Sequence, residues 1–211
     1  FPLLPVFMGS LGAAPTFIGL VEGLADATAS LLKLVTGYMA DRLPRKKPLV
    51  LFGYGIATLV RPLMGLAVLP WHALAVRVTD RVGKGIRSTP RDVLISSSVT
   101  ADQSGRAFGL HRAMDHAGAV VGPLIATALL SFGWSMREVF LAAIVPGLFA
   151  LLAVATVREV EPPAPVIPVH AAPPVHGAAR VPLPRAFIGY LVILGLFALG
   201  NSSDAFLLLR A

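Results

Sequence analysis

Seven charged side chains crowd into one apolar stretch of this sequence. Between Trp71 and Ser98 the chain reads WHALAVRVTDRVGKGIRSTPRDVLISSS, with Arg77, Asp80, Arg81, Lys84, Arg87, Arg91 and Asp92 inside it. At helical spacing these fall within an arc of about 140°, and Ala75, Val78, Val82, Ile86, Thr89 and Val93 cover the other side. Each charge near a bilayer centre would cost roughly 2.5 to 3.5 kcal/mol, so even four would cost about 10 kcal/mol in lipid. The ionic face must meet protein or a water-filled cavity. Its excess of cations suits an anionic solute or carboxylates from neighbouring helices. Arg77, Asp80, Arg81 and Lys84 are the candidates for lining a cavity, and Arg87, Arg91 and Asp92 are assigned to a rim at one end.

Other positions carry proton chemistry. Glu22 and Asp26 lie one helical turn apart and share an arc of about 120° with Ser30, Lys33 and Thr36. Two carboxylates buried side by side cannot both ionise cheaply, which makes one a candidate proton carrier. Plain ion pairs to Lys33 or to the charged helix are the competing reading. Arg112, Asp115 and His116 share a face further on. Asp115 is a third candidate for proton coupling, Arg112 a further cavity candidate, and an Arg112–Asp115 pair is expected. His111 and His116 diverge by about 140°, so a shared metal ion is not expected, and neither is any cofactor. Asn201 and Asp204, near the end of an apolar stretch, are read as cavity-lining. Ser96, Ser97 and Ser98 offer hydroxyls, but no glycine-flanked nucleophile or HExxH spacing accompanies them, so an enzyme is not expected.

Composition says what must hold these residues. Of 211 residues, 55% are hydrophobic and only 14% charged, with mean hydropathy +0.76, the balance of a multi-pass membrane protein. There is no cysteine, hence no disulfide and no thiolate site. The net charge of +7 reads as loop charge that sets topology, with no nucleic-acid partner. Phe1 to Leu11 is too short to span and reads as the end of a helix. Spans are expected over Pro15–Tyr38, Pro48–Leu69 with Arg61 as a buried charge, Trp71–Ser98, Gly105–Ser131 and Arg137–Val157. Thr100 and Gln103 form a possible capping box before the fourth of these. Residues 158–184 hold eight prolines and read as a linker, and a last span starts at Arg185. The expected division is thus a helical bundle over 1–157, a linker over 158–184 and a new bundle from 185. The chain looks cut at both ends.

Three stretches carry a family resemblance. The turn from Gly37 through Asp41, Arg42, Arg45, Lys46 and Lys47 to Leu49 resembles the GxLaDrxGrkxxl signature of the major facilitator superfamily, with Pro44 at its second glycine. Arg77, Gly83 and Gly85 match its helix 4 motif RxxqGxG, where Asp80 and Arg81 replace the glutamine and first glycine, and Ser104 to Ala107 echo a later RGRA. Gly118, Gly122 and Pro123 resemble the helix 5 antiporter motif GxxxGPxxGG, departing at Ala126-Thr127. Asp80 to Arg87 also resembles a DRxGKGIR stretch of bacterial members.

The resemblance covers essentially the whole chain and implies an all-α helical bundle holding helices 2 to 6, the linker and most of helix 7 of a twelve-helix transporter. It makes Gly37, Asp41, Arg42, Arg45, Lys46, Gly118, Gly122 and Pro123 conformational or gating residues. Loop Lys and Arg place the 2–3 turn, the 4–5 loop and the linker in the cytoplasm. The expected function is proton-coupled efflux of an organic anion or drug-like solute by a monomer in the bacterial inner membrane. The alternatives are proton-coupled import of an anion and a non-transporting membrane sensor or assembly factor.

Overall fold

A computed structural model of the chain describes residues 3–159, 188–190 and 192–193. Residues 3–159 belong to one compact unit, and the helical residues 188–190 and 192–193 belong to a second. The 158–184 linker beyond Glu159, most of the span from Arg185, and the candidates Asn201 and Asp204 lie outside the described residues.

Every regular element of the first unit is helical. In order these are α1 (Leu4–Ser10), α2 (Pro15–Arg42), α3 (Lys47–Val60) continued by a 3-10 turn (Arg61–Leu66), α4 (Pro70–Ser97), a second 3-10 turn (Ala101–Gln103), α5 (Ser104–Ser131), α6 (Met136–Ala142) and α7 (Ile144–Thr156). Proline stands in the first turn of α1, α2, α3 and α4, where its missing N–H breaks no helical bond. The chain turns back between α5 and α6 at Gly133, whose φ of 89° favours glycine. A true capping box starts α6: Ser135 Oγ accepts from Glu138 N–H, and the Glu138 carboxylate accepts from Ser135 N–H. The expected box at Thr100 and Gln103 does not form. Thr100 leads into the 3-10 turn without a side-chain cap, because α5 starts only at Ser104.

Among the described residues three stretches are long and apolar enough to cross a membrane: Lys47–Leu66, Ala101–Ser131 and Met136–Thr156. The charged helices α2 and α4 reach about 42 Å each at ~1.5 Å per residue, long enough to span. α2 runs four residues past its expected end, so Asp41 and Arg42 lie in its last turn rather than in a loop. The expected helix over Arg137–Val157 is divided at Ala143 into α6 and α7.

α4 is the central element, packed between α2 and α3. Glycines set how closely. A Cβ on Gly53 would lie 2.6 Å from Gly83 O, and one on Gly85 would lie 2.6 Å from Leu32 Cβ. The hydroxyl of Thr36 donates to Gly85 O at 3.0 Å, which ties α2 to α4 with a buried hydrogen bond. At the opposite end of α4 an apolar core gathers Leu4, Phe7 and Met8 of α1 with Ile18, Val21, Met64, Ala73 and Phe140. The rings of Phe7 and Phe140 stand 5.1 Å apart there. Of the ionic face of α4, Arg77 and Asp80 are buried.

Candidate functional site

The charged stripe turns toward its neighbour helices. Arg77 and Asp80 are the most buried charged side chains of α4, while Ala75 on the opposite face is exposed. A buried charge needs a partner, and the elements alongside supply one for Arg77, Arg81 and Asp80. Arg77 Nη2 donates to Glu22 Oε2 at 2.6 Å. Arg81 Nη2 lies 3.4 Å from Asp26 Oδ1 and 3.9 Å from Glu22 Oε2. The spacing of Glu22 and Asp26 on α2 thus matches that of Arg77 and Arg81 on α4, one turn in each.

Asp80 pairs elsewhere. Arg61 Nε on the 3-10 turn after α3 donates to Asp80 Oδ1 at 2.8 Å. The reason is angular. Residues 80 and 81 point about 100° apart around a helix, so Arg81 faces α2 and Asp80 faces α3. Arg61, expected to be buried, keeps 38% of its side chain exposed while holding a carboxylate that is 2% exposed.

Beside these pairs lies a cavity of about 450 Å³. It brings together Arg77, Asp80, Arg81 and Lys84, as the sequence suggests, and Arg112 and Asp115 of α5. Arg87, Arg91 and Asp92 line the same space. Lys33, Arg61, Ser88 and Thr89 complete it. Lys33 could have been found from sequence, since it stands on the Glu22–Asp26 face of α2. Eight of the lining side chains are basic and three acidic. Even when Glu22 and Asp26 are counted against them, three cations remain in excess, so the cavity attracts anions.

The remaining pairings are local. Asp115 meets His111, 3.4 Å away on the same helix, rather than Arg112. Arg91 pairs with its neighbour Asp92 at 3.3 Å. Arg87 turns toward α3, where its guanidinium lies 4.5 Å over the Tyr54 ring and donates to Gly53 O at 3.4 Å. Among the described residues no group of three or more His, Cys, Asp or Glu side chains could hold a metal ion.

The signature residues are less uniformly engaged. Asp41 is exposed, and among the described residues it forms neither an ion pair nor a side-chain hydrogen bond. The acid at the start of α3 is Glu159: its carboxylate accepts from Lys46 N–H at 2.5 Å and Lys47 N–H at 3.2 Å. Glu159 had been read as part of the linker. Arg42 stacks over Tyr38 at 4.0 Å, and Arg45 is exposed. A Cβ on Gly37 would meet Thr89 Cγ2 at 3.7 Å, an ordinary contact, so glycine is not sterically required there. Gly118 and Gly122 make no close helix contact among the described residues, where a Cβ would meet nothing within 4 Å. Pro123 lies within α5, which continues through it.

A family profile for the Major Facilitator Superfamily matches residues 1–210. This chain belongs to that superfamily. It is 31% identical over 211 residues to an uncharacterised MFS-type transporter of Methanocaldococcus jannaschii, covering 100% of this chain and 51% of the relative. It is 30% identical over 201 residues to the multidrug resistance protein MdtH of Proteus mirabilis, covering 94% of this chain and 48% of that protein. An uncharacterised protein of Mycobacterium tuberculosis is 37% identical over 124 residues, 59% of this chain and 30% of the relative. The chain spans about half the length of the first two. Within the superfamily, Arg77 takes the arginine position of the helix 4 motif as an ion-paired residue bound to α2, and Gly83 and Gly85 take its glycines as helix contacts with α3 and α2.

Proposed function

We propose that the whole protein is a secondary active transporter of the bacterial inner membrane that exports an organic anion or drug-like solute in exchange for protons. Alternating access of two helical bundles would expose the cavity to either side in turn. The observation that carries this reading is the cavity beside α4 of a membrane protein, with its surplus of basic side chains. The relatives named as multidrug resistance proteins support export.

The ion pairs rank the candidate proton carriers. Glu22 is nearly enclosed and held at 2.6 Å by Arg77, an arrangement that suits an anchor. Asp26 is held more loosely, 3.4 Å from Arg81 with 68% of its side chain exposed. Asp26 is therefore our leading proton carrier, with Asp115 second because it borders the cavity directly. The test is flux in proteoliposomes of the full-length protein. Uptake into inverted vesicles driven by an imposed inward-acid gradient supports exchange, and uptake indifferent to pH would overturn it.

The Asp26–Arg81 contact also favours a second reading. A proton on Asp26 would release Arg81 to bind an anion, so proton and anion would bind together, the linkage of symport rather than exchange. Opposite signs of the pH-gradient effect separate the two. No saturable flux of any solute would leave the sensor reading.

A further inference from the structure

We propose that the cavity takes a compact dianion, a phosphate monoester or a dicarboxylate, between Lys33 of α2, Lys84 of α4 and Arg112 of α5. This rests on reading the cavity as the solute path, and it adds the charge and the contact residues of the solute.

Most of the cations around the cavity are already occupied. Arg61 is bound to Asp80, Arg77 to Glu22, Arg81 to Asp26 and Arg91 to Asp92, while Arg87 is turned onto Tyr54. Lys33, Lys84 and Arg112 remain. Among the described residues none of these three makes an ion pair or a side-chain hydrogen bond, yet all three border the same cavity from three different helices. The acids closest in sequence to Arg112 do not claim it, since Asp115 is taken by His111.

Lys33 and Lys84 face a common space. The Thr89 hydroxyl donates to Lys33 O at 3.4 Å, setting α2 and α4 side by side there, and the two ammonium groups repel one another. A set of like charges around one cleft is self-repelling until an anion enters, and the cleft attracts that anion. A monoanion relieves one such repulsion, whereas a dianion can engage two or three cations together. The chemistry of the set fits that division: arginine offers a planar fork for two oxygens of a phosphate or carboxylate, and the lysines act as point charges around it. A cavity of about 450 Å³ is the size of a small-metabolite site. A cationic solute would enter against the net charge.

The test is calorimetric titration of the purified full-length protein in detergent at constant ionic strength with glycerol 3-phosphate, inorganic phosphate, succinate and acetate. At least one dianion should bind saturably and about tenfold more tightly than acetate, and K33Q, K84Q and R112Q should each weaken it by about tenfold. The preference between glycerol 3-phosphate and succinate identifies which dianion the site is built for. K84R should keep the binding that K84Q loses, which separates loss of charge from damage to the fold. Dianions binding no more tightly than acetate, or binding unchanged in the triple variant K33Q/K84Q/R112Q, would overturn the proposal. Proton-driven flux of a cationic dye without dianion binding would sink the dianion site and leave the transporter reading standing. Dianion binding without flux of the bound dianion would do the reverse.

Discussion

α4 and α5 are both 28 residues long and live in nearly opposite surroundings. α4 buries two glycines, an arginine, an aspartate and a proline between its neighbours, while α5 buries no residue. Both contain small residues at positions that would let another helix approach and a proline inside the helix. Among the described residues, only those of α4 are packed closely against partner helices. Small residues in a membrane helix therefore state a capacity for contact, and the contact itself depends on a second surface. On α5, Leu110, Met114, Val121, Leu124 and Ile125 are exposed, an apolar surface suited to lipid or to further helices of the full protein.

The sharpest break in that comparison comes from the buried ion pair. Arg77→Met strands Glu22 in a nearly enclosed site, with an expected loss of about 3–5 kcal/mol in unfolding experiments on the full-length protein in detergent, and Glu22→Gln added to it should recover part of the loss. Next come the glycine contacts. Gly53→Ala would press a methyl within 2.6 Å of Gly83 O, for a loss of about 1–3 kcal/mol by the same measurement. Glu159→Gln weakens an anionic cap on α3, and thermal melting should report about 0.3–1 kcal/mol. Gly118→Ala on α5 should be neutral to about 1 kcal/mol stabilising, because the helix gains propensity and the added methyl meets open space. A loss at Gly118 as large as that at Gly53 would show that α5 does have a close partner in the whole protein, and the contrast would dissolve.

The residues differ in how far sequence could take them. The ionic arc of α4 and its partnership with Glu22 and Asp26 were legible, because charges repeating at helical spacing in an apolar chain must be paired or hydrated. Which acid meets which base was only half legible. Arg81 and Asp80 are adjacent in sequence and part company in space, and only the packing of α3 on one side and α2 on the other assigns them. Gly83 and Gly85 stood out through their motif, but their contacts, Ile56 and Gly53 for one, Leu32 and Ala29 for the other, belong to tertiary structure. Glu159 offered no pattern at all: it sits after the last turn of α7 with prolines following, and its role emerges from the approach of a helix start more than a hundred residues away. Lys33 was visible on a polar face, and its place in the cavity depends on how α2 is rotated against α4.

The central claim is that the ionic face of α4 borders a water-filled path and its apolar face does not. With no native cysteine in these 211 residues, single cysteines can be placed one at a time in the full-length protein, after replacing any cysteines outside them, and treated in membranes with a water-soluble maleimide. Cysteines at Lys84 and Ser88 should react readily, and those at Val78 and Val82 should be spared. Equal labelling of both sets, or labelling of Val78 and Val82 alone, would contradict the account.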